Sequence, residues 1–321
     1  MTQPKPVELP LQLPGCEETS APYGGRLALE MVGWPNTVEW FCAFEERAKA
    51  SMGRFFLPVY RIADGEMEFL IGARPNWESD SVLRELVAVA QKRVGLRIER
   101  GRAGWKLKRP GTSWGETYTA AERRRLKPWY GETLLALSRD GVLAPFLYRA
   151  ANGCCAALRG PFLQYLERRG IRLTKDNYVP FHFPLWLVAG PCWRTFIEGK
   201  RLLVITRWTA ERECRVATAL RELGAETVQW VPISSGRALL DRIDISAVRR
   251  PVDVCLVGAG IGASNVLLQL RELETLCLDV GGYLDCLVDP DRTYHGFIRS
   301  PNRSRLAGDP ADPAPDKRRG P

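Results

Sequence analysis

In the second half of the chain, short apolar runs alternate with stretches of helical spacing. Residues 201–205, Arg-Leu-Leu-Val-Ile, form a continuous run of the kind buried on both faces of a parallel sheet. Apolar positions then recur at helical spacing over 209–223. Runs at 227–231, 252–257 and 275–280 repeat the strand pattern, with helical stretches over 237–248 and 264–273 between them. Repeated strand–helix units on short connections predict an α/β fold: a Rossmann-like, doubly wound, mostly parallel sheet with flanking helices.

The first half is less regular. Val38, Phe41, Phe44, Ala48 and Met52 fall at helical spacing, which predicts a helix over 37–52. Residues 55–62 read as a strand ending at Asp64-Gly65-Glu66, followed by a short helix over 67–71 and another over 79–94. Glycines break 95–131 into loops, and helices are expected over 131–137 and over 144–169, the latter interrupted near Gly153 and Gly160. Residues 1–35, rich in Pro and Gly, read as an irregular arm, and the polar, Pro-rich 301–321 as a disordered tail. The expected organisation is one domain over 36–300 with a basic insertion, 92–131, inside it.

Charge sharpens this. The 321 residues carry 46 Lys and Arg against 37 Asp and Glu, a formal +9, which implies an anionic partner. Residues 92–127 alone hold twelve basic and three acidic residues, so one segment accounts for an excess equal to the whole. Trp105 and Trp114 lie within it and Trp129 just beyond. Such a segment suits base stacking, peripheral contact with an anionic membrane, or a plain solvated insertion. It carries no nucleic-acid-binding signature, so no specific nucleic acid is expected. No apolar run reaches 18 residues, and the N-terminus lacks a secretory pattern, so a cytoplasmic location is expected. Nine Cys without a C-x-x-C pair read as reduced thiols, and only two His, His182 and His295, argue against a His-rich zinc site.

Two motifs carry chemistry. Gly258-Ala259-Gly260-Ile261-Gly262 follows a predicted strand and opens a helix, where backbone N–H groups can meet a phosphate. Asp279, 21 residues after Gly258, stands where a dinucleotide fold places its ribose carboxylate. The spacing is G-x-G-x-G rather than G-x-G-x-x-G, and few residues follow. A nucleotide site, an NAD(P)-dependent oxidoreductase and a purely structural turn all stay open. Earlier, Asp64 and Glu66 flank a glycine at a strand end, where an extended turn aims both carboxylates at one cation. Hard oxygen donors suit Mg²⁺ or Mn²⁺. A solvated or helix-capping acid pair is the alternative.

In this set of motifs the chain resembles the GT-D type glycosyltransferases, a family first known as a domain of unknown function. Arg61, Asp64, Gly65 and Glu66 match its R-x-G-D-G-E strand end, with Ala63 in place of a glycine and Gly72 at a familiar distance. Gly199-Lys200-Arg201, the turn 258–262, the run from Asp279 to Asp285 with Gly282 inside it, and Arg292-Thr293-Tyr294-His295 are similar to its second half. The resemblance covers roughly 37–300.

It implies a metal-dependent transfer of sugar from a nucleotide-diphosphate donor to a hydroxyl of a glycan, glycoprotein or lipid-linked acceptor. Asp64 and Glu66 would hold Mn²⁺ or Mg²⁺, and Arg61 and Gly65 would lie beside the donor phosphates. The backbone of Gly258, Gly260 and Gly262 would line the nucleotide cleft. Asp279 would touch ribose or metal, and Asp285 would be a general base. The plainer options are an ion pair of Arg61 with Asp64 or Glu66, and Asp279 as a cap of the next turn. A role for His295 stays open. A third class of reading is a non-catalytic nucleic-acid or membrane-surface binding protein. The donor-site reading stands if the acidic pair and the glycine turn share one cleft, and fails if they lie on opposite faces.

Overall fold

The computed structural model describes residues 7–10, 26–29, 37–71, 97–101, 104–108, 118–147, 154–190, 192–207 and 209–289, together with 292, 294 and 301. The expected helix over 79–94, Gly72, Trp114, His295 and the tail beyond 301 lie outside these residues.

Near the N-terminus, β1 (Val7–Pro10) and β2 (Arg26–Leu29) form an antiparallel pair inside the expected irregular arm. Helix α1 (Thr37–Ser51) and strand β3 (Leu57–Ile62) follow close to their expected bounds. Helix α2 (Asp64–Ile71) starts three residues earlier than expected, on the acidic motif itself. In the basic segment, β4 (Arg97–Gly101) and β5 (Gly104–Lys108) pair as a hairpin where loops were expected.

Helix α3 (Ala120–Asp140) is far longer than the expected 131–137. Thr119 caps it, and Glu122 returns a bond to the Thr119 N–H at 2.9 Å, a reciprocal pair that fixes the first turn. Pro128 sits inside it, on an exposed position. Ala144 and Pro145, expected to open a helical region, instead end strand β6 (Val142–Pro145), and the helix after it, α4, spans Cys154–Arg168. A four-residue apolar run carries no periodicity that separates strand from helix.

The remaining elements are α5 (Phe183–Ala189), α6 (Trp193–Ile197), β7 (Arg201–Arg207), α7 (Ala210–Glu222), β8 (Thr227–Ile233), β9 (Val254–Gly258), α8 (Ala263–Gln269), β10 (Leu276–Asp279) and α9 (Leu284–Val288). The expected helix over 237–248 is instead two single 3₁₀ turns, Ala238–Leu240 and Ile245–Ala247.

Six strands make one sheet in the order β6-β3-β10-β9-β7-β8, with every neighbouring pair parallel. This is the expected α/β, Rossmann-like architecture. The inner strands β3 and β10 are buried end to end and β9 and β7 over all but their terminal residues, as parallel strands covered on both faces must be. From β7 the chain steps outward through α7 to β8, whereas from β9 it steps the other way through α8 to β10. Right-handed crossovers then put α7 and α8 on opposite faces. Helix α3 packs on α8, β3 and β6, so it shares the α8 face. Strand carboxyl ends near such a reversal form the ligand crevice of open α/β sheets.

Candidate functional site

The β3–β10 ladder pairs Leu57 with Leu276, Pro58 with Cys277 and Val59 with Leu278, and goes no further. Beyond it β3 keeps pairing with β6 through Ile62, and β10 with β9 through Asp279. The end of the β3–β10 ladder leaves the Arg61 N–H without a backbone acceptor on that side. The Asp279 carboxylate takes its place, accepting from the Arg61 N–H at 3.2 Å through Oδ2 and from the Gly281 N–H at 3.0 Å through Oδ1. Asp279 is therefore a tie across the crevice floor and a cap of the turn after β10, both through its side chain.

The Arg61 side chain is buried although charged. Its guanidinium carbon lies 4.0 Å from the Phe181 ring centre and 5.2 Å from that of Tyr294. Nε donates to the Phe181 carbonyl at 3.3 Å and Nη2 to the Tyr294 hydroxyl at 3.2 Å. A planar guanidinium accepts such stacking where an ammonium would not. An ion pair to Asp64 or Glu66, the plainer reading of Arg61, is not among its described bonds. Gly281 has φ +52°, which favours glycine, and a Cβ there would press on Arg61 Nη1 at 3.1 Å.

Helix α2 begins where β3 ends. Glu66 Oε2 accepts from the Ala63 N–H at 2.8 Å, turning the carboxylate back to cap its own helix. The capping alternative is thus observed. The motif is helical rather than extended, so Asp64 and Glu66 both lie in the first turn of α2. The expected extended turn is thus a first helical turn, in which Glu66 is buried against its own helix and Asp64 is half-buried. Burial raises the Glu66 pKa, the N–H bonds from Ala63 and from Glu66 itself lower it, Asp64 raises it and Arg61 lowers it. Burial likewise pushes Asp279 up to about 7, against the Arg61 charge and the two N–H bonds and with the Glu66 charge. Burial is the largest cause for both carboxyls, and at Asp279 the Glu66 charge adds to it. Beneath them the hydroxyls of Tyr60 and Tyr130 are hydrogen-bonded to each other in the core.

The glycine turn lies beside this group. β9 and β10 are neighbours, and the 3₁₀ turn Gly260–Gly262 packs against α2. The acidic pair and the glycine turn therefore share one edge of the sheet. The glycines also have packing reasons. A Cβ at Gly258 would lie 2.9 Å from the Gly281 carbonyl oxygen, and one at Gly262 only 2.5 Å from the Ala238 Cβ. Gly260 is exposed with φ +55°. Asp279, bound by two backbone N–H groups, is not presented to a ribose as an oxidoreductase reading requires.

Asp285 is not brought to this group by any described contact. It lies on α9, which packs on α7, and its oxygens pair with Arg212 at 2.6 Å and Arg292 at 3.5 Å. To act as a base it would first have to leave both. Gly65 is buried in the first turn of α2. A groove between Glu46, Lys49, Arg54, Lys200 and Asp253 opens at the other edge, before β3, β7 and β9, away from the strand ends that bind ligands in such folds.

Phe181 and its neighbour His182 escaped sequence reading. His182 is buried with its ring 5.1 Å from Phe181 and 5.8 Å from Phe146. The only signal was the aromatic run Phe181-His182-Phe183 outside any predicted element.

Oxygen donors at this edge suit a divalent ion by chemistry. Among the described residues, no three His, Cys, Asp or Glu side chains gather as a ready-made metal site.

No family model and no curated protein matches the sequence. Among solved structures the chain is similar to one described as the selenomethionine-substituted structure of domain of unknown function 1792, over 84% of this chain and 86% of that one, at 11% identity and a TM-score of 0.39. A likeness at this level assigns no role to any residue.

Proposed function

We propose that the chain is a glycosyltransferase that takes a sugar from a nucleotide-diphosphate donor and passes it to an acceptor hydroxyl. The observation that carries this reading is the convergence of Arg61, Glu66 and Asp279 at the carboxyl ends of two adjacent inner strands, beside α2 and the glycine turn. The donor diphosphate would enter where the β3–β10 ladder stops. Asp64 and Glu66 would hold a divalent ion, Mn²⁺ or Mg²⁺, which when bound offsets the charge of the departing diphosphate. Asp64, on the first turn of α2 and half-buried, would engage it first, and Glu66 would contribute once its carboxylate leaves the Ala63 N–H. Arg61, fixed between two rings, would supply positive charge without moving. Asp279 would keep Arg61 and the Gly281 turn in register.

Incubating the chain with Mn²⁺ and a panel of nucleotide sugars tests this by donor hydrolysis and transfer. Glu66→Gln keeps an acceptor for the Ala63 N–H but removes the charge, so it separates capping from catalysis. Activity lost in Glu66→Gln with folding intact supports the reading. Full activity in Glu66→Gln and Asp64→Asn refutes the metal role.

A further inference from the structure

Helix α3 has two unlike faces. Leu126, Tyr130, Leu134 and Leu137 are buried on the side that packs on β3, β6 and α8. Arg124, Arg125, Pro128 and Trp129 face solvent. Trp129 is 40% exposed, and Arg125 stands one helical turn from it on the same face. The acids nearby are committed elsewhere: Glu122 pairs with Arg237 at 2.5 Å and Glu132 with Arg169 at 3.0 Å. Neither neutralises Arg124 or Arg125. The chain leading into this helix, residues 92–117, adds eight basic residues against two acidic ones.

We propose that this face of α3 docks on an anionic lipid bilayer. The guanidiniums of Arg124 and Arg125 would meet lipid phosphates, a pairing their planar fork suits. Trp129 would sit at headgroup depth, where an indole keeps its apolar body in lipid and its N–H in water. The basic face supplies the attraction to a negatively charged leaflet. A bilayer is favoured over single-stranded RNA because, among the described residues, this face is one helix with one exposed ring. RNA binding calls for a groove in which successive bases stack on successive aromatics. Helix α3 also packs on α2, so a docked chain holds the carboxyl edge of the sheet near the membrane. The consequence for a lipid-linked acceptor rests on the glycosyltransferase reading, whereas the docking does not.

Co-sedimentation of the full chain with vesicles of phosphatidylglycerol and phosphatidylcholine in equal parts, against phosphatidylcholine alone, tests the proposal. Binding is expected to the anionic vesicles only, and to weaken with salt. R124E/R125E should lower it by about tenfold or more. W129A should lower it severalfold with an unchanged circular dichroism spectrum. R54E/K200E, the same charge reversal at the opposite edge of the sheet, should leave it unchanged. Equal binding to both vesicles, no binding, or equal losses in the two double variants would overturn the proposal. So would single-stranded RNA that binds through Arg124 and Arg125 and displaces the vesicles.

Discussion

The backbone N–H of Arg61 donates to the carboxylate of Asp279 at 3.2 Å, where the ladder between their two strands has stopped. A side chain does the work of a missing rung. The crevice can open there because the bond that would have closed it is replaced by one from its floor.

That tie has a pH signature. The Asp279 carboxyl ionises at 3.8 in an unfolded chain and near 7 in the folded one. Between those values the folded chain keeps a proton that the unfolded chain releases. Its contribution to stability is therefore full below about pH 4 and is lost as pH rises through about 7, with an upper bound of roughly 4 kcal/mol. Glu66, also raised, acts in the same direction. Urea melts from pH 4 to pH 8 should show stability falling with pH, and Asp279→Asn should flatten the slope. A slope unchanged in Asp279→Asn would show that Asp279 is not its source.

Arg61 is held by shape as well as charge. Arg61→Lys keeps the charge but loses the stack on Phe181 and the fixed bond to Tyr294. A rise of about tenfold in donor KM is expected, with a smaller loss of stability. Tyr294→Phe removes only the hydroxyl and should cost about 1 kcal/mol in a denaturant melt. An Arg61→Lys chain with unaltered donor kinetics would take Arg61 out of the site.

The glycine turn divides into two kinds of position. Gly262→Ala forces a Cβ to within 2.5 Å of the Ala238 Cβ and should destabilise by about 1–3 kcal/mol. Gly260→Ala must hold φ near +55°, at a cost of about 1–2 kcal/mol. Thermal melts of the two variants check this. Tight NAD(H) binding that Gly260→Ala abolishes would revive the oxidoreductase reading.

The sheet was legible from the sequence where strands are inner and helices capped. The 201–205 run and the 209–223 stretch became β7 and α7 almost unchanged, with Thr209 as the cap. Legibility failed where a local signal was short or contradictory. The start of α3 is encoded in Thr119 and Glu122, but Pro128 and the glycines before it argue for loops. β6 is four residues long, and its strand character comes from pairing with β3. In the site, the motif Asp64-Gly65-Glu66 was visible but its helical conformation was not, because two acids beside a glycine favour a turn as readily as a first helical turn. The Arg61–Phe181–Tyr294 stack joins residues more than a hundred positions apart, and no local pattern announces it.

Calorimetric titration of the chain with a nucleoside diphosphate panel, with and without Mn²⁺, tests the donor site most directly. One member of the panel is expected to bind in the presence of the metal, with affinity reduced tenfold or more, by rough estimate, when the metal is withheld or when Asp64 is changed to Asn. Binding that is absent across the panel, or that ignores both the metal and Asp64→Asn, would contradict a metal-assisted donor site at the carboxyl ends of β3 and β10.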